Sequence, residues 1–222
     1  MANAQKQLTS ADRVRVNKRI ESLETRTDAE VVCAVATESG RYDRAESICG
    51  LTVSVLAFIS AQKIASMDDW DITVALPVGL QVVLIVVGFV AGSLLASYWH
   101  ALRRLFVSNS EMATEVDRRM HQVFSQYGIG GTGHRGGLLI YVSLFEHRLE
   151  IRCDKAAAEK LTSEDLEEIR DVVLRVVRKG QVADGLIAGL EKAEERLASA
   201  LPHTGQVTDT LKNEVLVFHP RP

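Results

Sequence analysis

The sequence predicts an α/β fold: a small sandwich in which helices flank a central mixed sheet, with a transmembrane helical hairpin inserted into it. Two short apolar runs rich in β-branched residues predict buried strands, and amphipathic helical patterns surround them. The segment between these two runs is long, apolar and almost uncharged. We therefore expect a discontinuous soluble domain at residues 1–45 and 103–222, and the hairpin at residues 46–102.

The part before the hairpin predicts one helix and one strand. Leu8 to Arg26 fits an amphipathic helix that Thr9 or Ser10 would cap. Its apolar positions are Val14, Val16, Ile20 and Leu23. Ala29 to Thr37 is a short, mainly apolar run with β-branched residues, which is typical of a buried strand.

The part after the hairpin supplies the remaining elements. A second buried strand is predicted at Gly137–Phe145, and we expect it to pair with Ala29–Thr37 in one sheet despite the insertion. A tight turn at Glu146 and His147 then leads to an alternating strand. The elements predicted here are a helix at 109–127 that Gly128 ends, strands at 137–145, 148–153 and 214–218, a helix from the capping box at Thr162 to Gly180, and a helix at 182–200.

The apolar segment is long enough to cross a membrane twice. No residue from Ile72 to Leu102 carries a formal charge, whereas one span needs only about 20 apolar residues. The first run, Ser47 to Gln62, is shorter and reaches about Met67 if Lys63 extends its charge to the interface. We expect an antiparallel hairpin of residues 47–67 and 74–100, because a single span would separate the two soluble parts.

Charges beside the spans predict the orientation. Arginines flank the outer ends of both helices, whereas the turn between them is acidic. The positive-inside rule then places the soluble domain in the cytoplasm and the chain in the cell membrane. We expect Cys33 and Cys153 to be free thiols in that reducing compartment. The flanking arginines are Arg41, Arg44, Arg103 and Arg104.

Composition and local order exclude several functions. The net charge is −3 and no dense basic stripe occurs, so we expect no nucleic-acid partner. Residues 128–133 match the string G-x-G-x-x-G, but dinucleotide binding needs a strand before that loop and a helix after it. The predicted order here is the reverse. Residues 69–73 match D-x-D-x-T, but they fall in the turn of the hairpin rather than at the end of a buried strand.

Polar residues at the ends of predicted strands form the candidate site. Glu30 and Asp154 are candidate metal ligands, because carboxylates bind Ca²⁺ or Mg²⁺ through oxygen. Arg135, Gly136 and Gly137 are candidates for binding an anion, since the glycine-rich loop could leave amide groups available. The alternative is structural: Glu30 pairs with Arg135, and Asp154 caps a turn.

The sequence resembles the TPM domain, a family named in part for a plant thylakoid-lumen acid phosphatase. The similar segments are residues 132–154 (TGHRGGLLIYVSLFEHRLEIRCD), residues 27–32 (TDAEVV), residues 178–186 and residues 213–215. The pattern is similar to that of a bacterial branch with two membrane helices after the first strand. Residues 153–157 (CDKAA) depart from the Gly-rich or Asp-Arg-Gly turn of many members, and only Asp154 matches.

The resemblance implies three kinds of role, namely phosphatase activity, divalent-metal binding, and assembly or repair of membrane complexes. We expect an interaction, assembly or quality-control module at the inner face of the membrane, with the lipid bilayer and a membrane protein as its partners. The alternative is a divalent-metal-dependent phosphatase of low activity. In that case Glu30 and Asp154 would hold the metal, and Arg135 would bind the phosphate.

Overall fold

The computed structural model describes residues 3–66, 76–131, 136–203 and 213–222. The chain divides into two compact units, Met1–Gly40 with Met112–Pro222, and Arg41–Glu111. The domain boundaries expected from the sequence stay predictions. The elements are α1 (Ala4–Gln7), α2 (Ser10–Glu24), β1 (Ala29–Ala36), α3 (Asp43–Ala65), α4 (Val78–Tyr98), α5 (His100–Leu105), α6 (Asn109–Gln126), a 3₁₀ turn (Ile129–Gly131), β2 (Gly136–Ser143), β3 (Arg148–Cys153), α7 (Lys155–Ala158), α8 (Ser163–Val177), α9 (Val182–Ala200) and β4 (Leu216–Phe218).

Within the described residues, the first unit has a four-stranded sheet in the order β3-β2-β1-β4. β1 and β2 are parallel, and their register runs from Ala29 opposite Gly136 to Ala36 opposite Ser143. β4 lies parallel to β1 on its other side, and β3 lies antiparallel to β2. The mixed sheet is confirmed, and so is the pairing of the two strands that the insertion separates.

Helices cover both faces of this sheet. One face packs against α2, α8 and α9, and the other packs against α6. Because both faces of β1 and β2 are buried, neither strand needs polar residues at alternate positions. The first face contributes Val31, Cys33, Val35, Leu138, Ile140 and Val142, and the second contributes Val32, Ala34, Leu139 and Tyr141.

The helix starts follow the predicted capping chemistry. Thr9 caps α2 and Thr162 caps α8, each in a capping box with the aspartate three residues later. In α2, three of the four predicted apolar positions lie in the core, but Val14 is 52% exposed. The buried positions follow one another at steps of four and three residues, and Val14 lies two residues before the first of them, off that stripe.

The second unit contains the two predicted apolar helices. α3 and α4 are each long and apolar enough to cross a membrane, and only 17% and 11% of their most apolar windows are buried. A core helix of a soluble protein would be mostly buried. The acidic turn predicted between the helices lies outside the described residues. Exposed apolar side chains on these helices include Leu51, Leu56, Ile64, Val83, Val87, Val90 and Leu94.

Glycines bring α3 and α4 together. A Cβ atom added to Gly92 would lie 2.9 Å from the Gly50 Cα atom, and one added to Gly88 would lie 2.9 Å from the Ser54 Cα atom. These pairs run in opposite directions along the two helices, so the hairpin is antiparallel. At its base, Arg103 is 3.3 Å from the Glu46 carboxylate and lies over the Tyr42 ring, 5.9 Å from its centroid.

We predict that Gly92→Ala destabilises the hairpin. The new methyl group would meet backbone atoms of α3, and such overpacking costs about 1–3 kcal/mol. The measurement is thermal unfolding of the full chain in detergent, followed by circular dichroism. Gly79→Ala is the matched control, because among the described residues nothing lies within 4 Å of its added Cβ atom. Equal shifts of the melting temperature in both variants would contradict the packing role.

Candidate functional site

The structure brings three predicted site elements to one end of the sheet. Glu30, the second residue of β1, is opposite Gly137 in the register. Asp154 follows β3 directly, and its amide donates a hydrogen bond of 2.8 Å to the Gly137 carbonyl. Glu30 and Asp154 therefore flank the same residue of β2. Arg135 lies outside the described residues.

The carboxylate of Asp154 has a defined structural task. Its Oδ1 atom accepts a hydrogen bond of 2.8 Å from the Ala157 amide and so caps α7. Asp154 is 7% exposed and Glu30 is 3% exposed. Within the described parts of the chain, no group of three or more His, Cys, Asp or Glu side chains could hold a metal ion. The metal role of Glu30 and Asp154 stays a prediction.

Close packing explains the two glycines that begin β2. A Cβ atom on Gly136 would lie 2.5 Å from the Leu201 Cδ1 atom, and one on Gly137 would lie 2.2 Å from the Ile129 carbonyl oxygen. A larger residue at either position would push these neighbours apart. Both glycines are needed for packing, whether or not they also bind an anion, and their anion-binding role stays a prediction.

A buried polar cluster occupies the opposite end of the sheet, where β1 and β2 end. We call Ser39, Tyr141, Ser143 and Glu146 the Glu146 cluster; each of the four is at most 2% exposed. The Ser39 hydroxyl oxygen lies 2.7 Å from that of Ser143 and 2.9 Å from that of Tyr141. Ser143 in turn donates to the Glu146 carboxylate. Burial raises the pKa of Tyr141 well above its usual range, so the phenol stays protonated at neutral pH.

Glu146 joins the segment after β1 to the turn after β2. Its Oε1 atom accepts hydrogen bonds from the Ser39 amide at 2.8 Å and from the Gly40 amide at 3.3 Å. Arg119 of α6 adds a third element, because its Nε atom donates to the Ser39 carbonyl at 3.0 Å and its Nη1 atom to the Pro222 carbonyl at 3.3 Å. This end of the sheet is therefore held by bonds between residues far apart in the sequence.

The chain termini are fixed at the same end. Thr37 Oγ1 accepts a hydrogen bond of 2.9 Å from the Ala4 amide and lies 2.9 Å from His219 Nδ1. Glu38 forms an ion pair of 3.3 Å with Arg221. Sequence reasoning missed this end of the sheet. The available signal was that ligands of open α/β sheets gather where parallel strands end, and that Glu146 directly follows a buried strand.

Cys33 and Cys153 have thiols of low reactivity. Cys33 and Cys153 are free thiols, as expected. Burial raises the pKa of each thiol to about 12. Because the thiolate is the reactive form, neither sulfur is an effective nucleophile at neutral pH.

We predict that Glu146 stabilises the fold through its acceptor atoms. Glu146→Ala would leave the Ser39 and Gly40 amides buried without acceptors, and should lower the free energy of unfolding by about 2–4 kcal/mol. Glu146→Gln keeps the shape and one acceptor, and the three hydroxyls can reverse their donor direction to suit it. Its loss should be about 1 kcal/mol or less. Thermal unfolding of the full chain measures both variants, and equal losses would contradict the acceptor role.

Comparison with known proteins supports the fold and one family. The chain is similar to BA42, a protein of the psychrophilic bacterium Bizionia argentinensis whose structure was determined by NMR. The TM-score is 0.59 at 16% sequence identity, and the match covers 98% of this chain and 99% of that one. At this identity the likeness shows a shared fold alone. A search of curated proteins gave no significant match.

The family model described as the TPM domain matches residues 101–196. This range includes β2, β3 and the helices from α6 to α8, so it contains the Glu146 turn and Asp154. The resemblance to the TPM domain found in the sequence is confirmed by this match over residues 101–196.

Proposed function

We propose that this protein is anchored in the cell membrane by the α3–α4 hairpin and that its TPM-containing unit binds a membrane-protein partner at the cytoplasmic face, as an assembly or quality-control module. The observation that carries the proposal is the parallel pairing of β1 with β2 along their whole length. β1 precedes the two apolar helices and β2 follows them. A chain that crosses a bilayer between two paired strands must cross it an even number of times.

The surface of the hairpin supports the bilayer as its environment. The side chains that face away from the α3–α4 contact are largely apolar and exposed. In water such a surface would be a large aggregation hazard, whereas lipid tails solvate it. The contact itself is made through small residues, which is how helices commonly pack within a membrane.

Basic residues support the cytoplasmic orientation. Arg41 and Arg44 lie beside the start of α3, and Arg103 and Arg104 follow α4. The ion pair of Arg103 with Glu46 does not remove this signal, because the positive-inside rule counts Lys and Arg rather than net charge. The connecting segment contains Asp residues and no Lys or Arg.

The closed state of the Glu146 cluster favours a binding role over catalysis at that end of the sheet. Its hydroxyls are fully buried and bonded to one another, so they hold the fold together and do not meet a substrate. The two thiols outside the hairpin are likewise unreactive at neutral pH. The polar groups at this end thus hold the fold together.

The orientation and the partner can be tested in one set of strains. In intact spheroplasts, a membrane-impermeant maleimide should label Ser66→Cys, at the end of α3, but should label Ala198→Cys, exposed on α9, only after permeabilisation. After crosslinking in the membrane, the full chain should retain a membrane protein in fixed stoichiometry. A hairpin of residues 41–111 fused to an unrelated soluble domain should not retain it.

Both arms carry internal controls. The unsubstituted chain should stay largely unlabelled under both conditions, because Cys33 and Cys49 are buried and the partly buried Cys153 is protonated at neutral pH. Labelling of Ala198→Cys in intact spheroplasts would overturn the orientation. Equal retention by the fused hairpin would show that the TPM-containing unit does not bind the partner.

The second candidate function is that of a divalent-metal-dependent phosphatase. The observation that favours it is the position of Glu30 and Asp154 on either side of Gly137. A cation bound there would polarise a phosphoryl oxygen, and Arg135 would bind the phosphate.

We predict that Ca²⁺ or Mg²⁺ binding, if Asp154 is a ligand, disappears in Asp154→Asn while stability is retained. Asparagine caps helices as well as aspartate does but brings no charge to a metal. Asp154→Ala should lose the cap as well, at a cost of about 1 kcal/mol. Calorimetric titration of the full chain with each ion, before and after substitution, is the measurement. No binding by the unsubstituted chain would end the metal hypothesis and leave the membrane-anchored module standing.

A further inference from the structure

A second candidate for ligand binding is a pocket on the α8–α9 side of the sheet. It has a volume of about 430 Å³ and lies between the β2–β3 turn, the end of α8 and the start of α9. We call it the β2–α8 pocket. Pockets that bind small molecules usually measure about 300–1,000 Å³, so this one has the size for a small organic ligand.

The floor of the pocket is apolar. Val142 of β2 and Val182 of α9 are 2% and 3% exposed, and half-buried side chains of α8 lie beside them. These α8 residues are Leu174 and Val177. The floor therefore offers aliphatic surface to the body of a ligand, and burial of apolar surface favours binding.

The mouth of the pocket is basic. Arg148 at the start of β3 and Arg178 after α8 both line it, together with the exposed His147 and Gln7. Within the described residues, no acidic side chain forms an ion pair with Arg178. Val182, the first residue of α9, also lines this pocket. The side chain of Gln181, the N-cap residue of α9, makes no capping hydrogen bond. A helix start of this kind adds partial positive charge.

We propose that the β2–α8 pocket binds an amphipathic anion, whose carboxylate or phosphate head lies at Arg148 and Arg178 and whose short alkyl body lies on the apolar floor. Guanidinium groups suit both kinds of head, because they donate paired hydrogen bonds to two oxygens. Gly180, whose φ is +82°, lies in the turn between α8 and α9 and also lines the pocket. This proposal does not depend on the partner proposed above.

The test uses the full chain in nanodiscs of phosphatidylcholine and equilibrium dialysis against labelled octanoate, octyl phosphate and octanol. Empty nanodiscs provide the background. We expect saturable binding of one octanoate or octyl phosphate per chain, and the tighter of the two identifies the head group. Octanol, which has the same body without charge, should bind at least about tenfold more weakly, as expected when a hydrogen bond to a charged group is lost.

Two variants localise the site. Arg178→Glu should weaken anion binding by at least about tenfold, whereas Lys179→Glu, the same charge change one residue later and outside the pocket, should weaken it by less than about threefold. Gln7→Trp leaves the charge unchanged and should block the pocket, since Gln7 is exposed at its mouth.

Three results would each overturn the proposal. The first is the absence of saturable anion binding by the unsubstituted chain. The second is an equal loss in the Arg178→Glu and Lys179→Glu chains, which would indicate attraction to the surface as a whole. The third is octanol binding as tight as that of the anions. Circular dichroism of each variant checks that a loss of binding does not come from unfolding.

Discussion

The parallel ladder between β1 and β2 is the interaction on which the rest of the structure depends. Its two strands are separated in sequence by both apolar helices, yet they are in register over their full length and buried on both faces. Such a ladder is formed only if the inserted segment leaves the sheet and returns to it. The antiparallel packing of α3 on α4 through Gly50, Gly88 and Gly92 meets that requirement. The strand pairing and the antiparallel hairpin therefore both require the chain to return to the sheet after the insertion.

The sequence reveals those parts of the fold that local patterns encode. Continuous apolar runs indicate strands covered on both faces, and the residues at Thr9 and Thr162 indicate helix starts, because each signal lies within a few neighbouring positions. The Glu146 cluster has no such signal. It joins Ser39, Tyr141 and Ser143 with a turn glutamate, and Arg119 reaches it from another helix. Tyr141, Ser143 and Glu146 lie near one another in the sequence, but Ser39 and Arg119 reach them only in the folded sheet.

The glycines also show which structural roles can be predicted from the sequence and which cannot. The glycine-rich stretch before β2 predicts an anion-binding loop, and that role stays a prediction. The two glycines that open the strand also pack closely against Ile129 and Leu201, which the sequence did not indicate. In contrast, Gly128 and Gly180 adopt positive φ values of 68° and 82° and end helices, as their sequence positions indicate. A turn glycine is recognised from its neighbours, whereas a packing glycine depends on residues far away in the sequence.

The Glu146 cluster and the β2–α8 pocket, both beside the end of β2, differ in what they can offer a ligand. Where β1 and β2 end, Glu146 binds the amides of Ser39 and Gly40, the residues that lead from β1 toward α3. The carboxylate thus fixes the point at which the chain leaves the sheet. Its oxygen atoms are occupied by hydrogen bonds from these amides and from the Ser143 hydroxyl. On the α8–α9 side, Arg178 forms no ion pair with any residue that the structure describes. The buried polar groups of the Glu146 cluster are bonded within the protein and so are not available to a ligand. The β2–α8 pocket instead combines the exposed charge of Arg178 with apolar surface, which is what binding of an amphipathic anion requires.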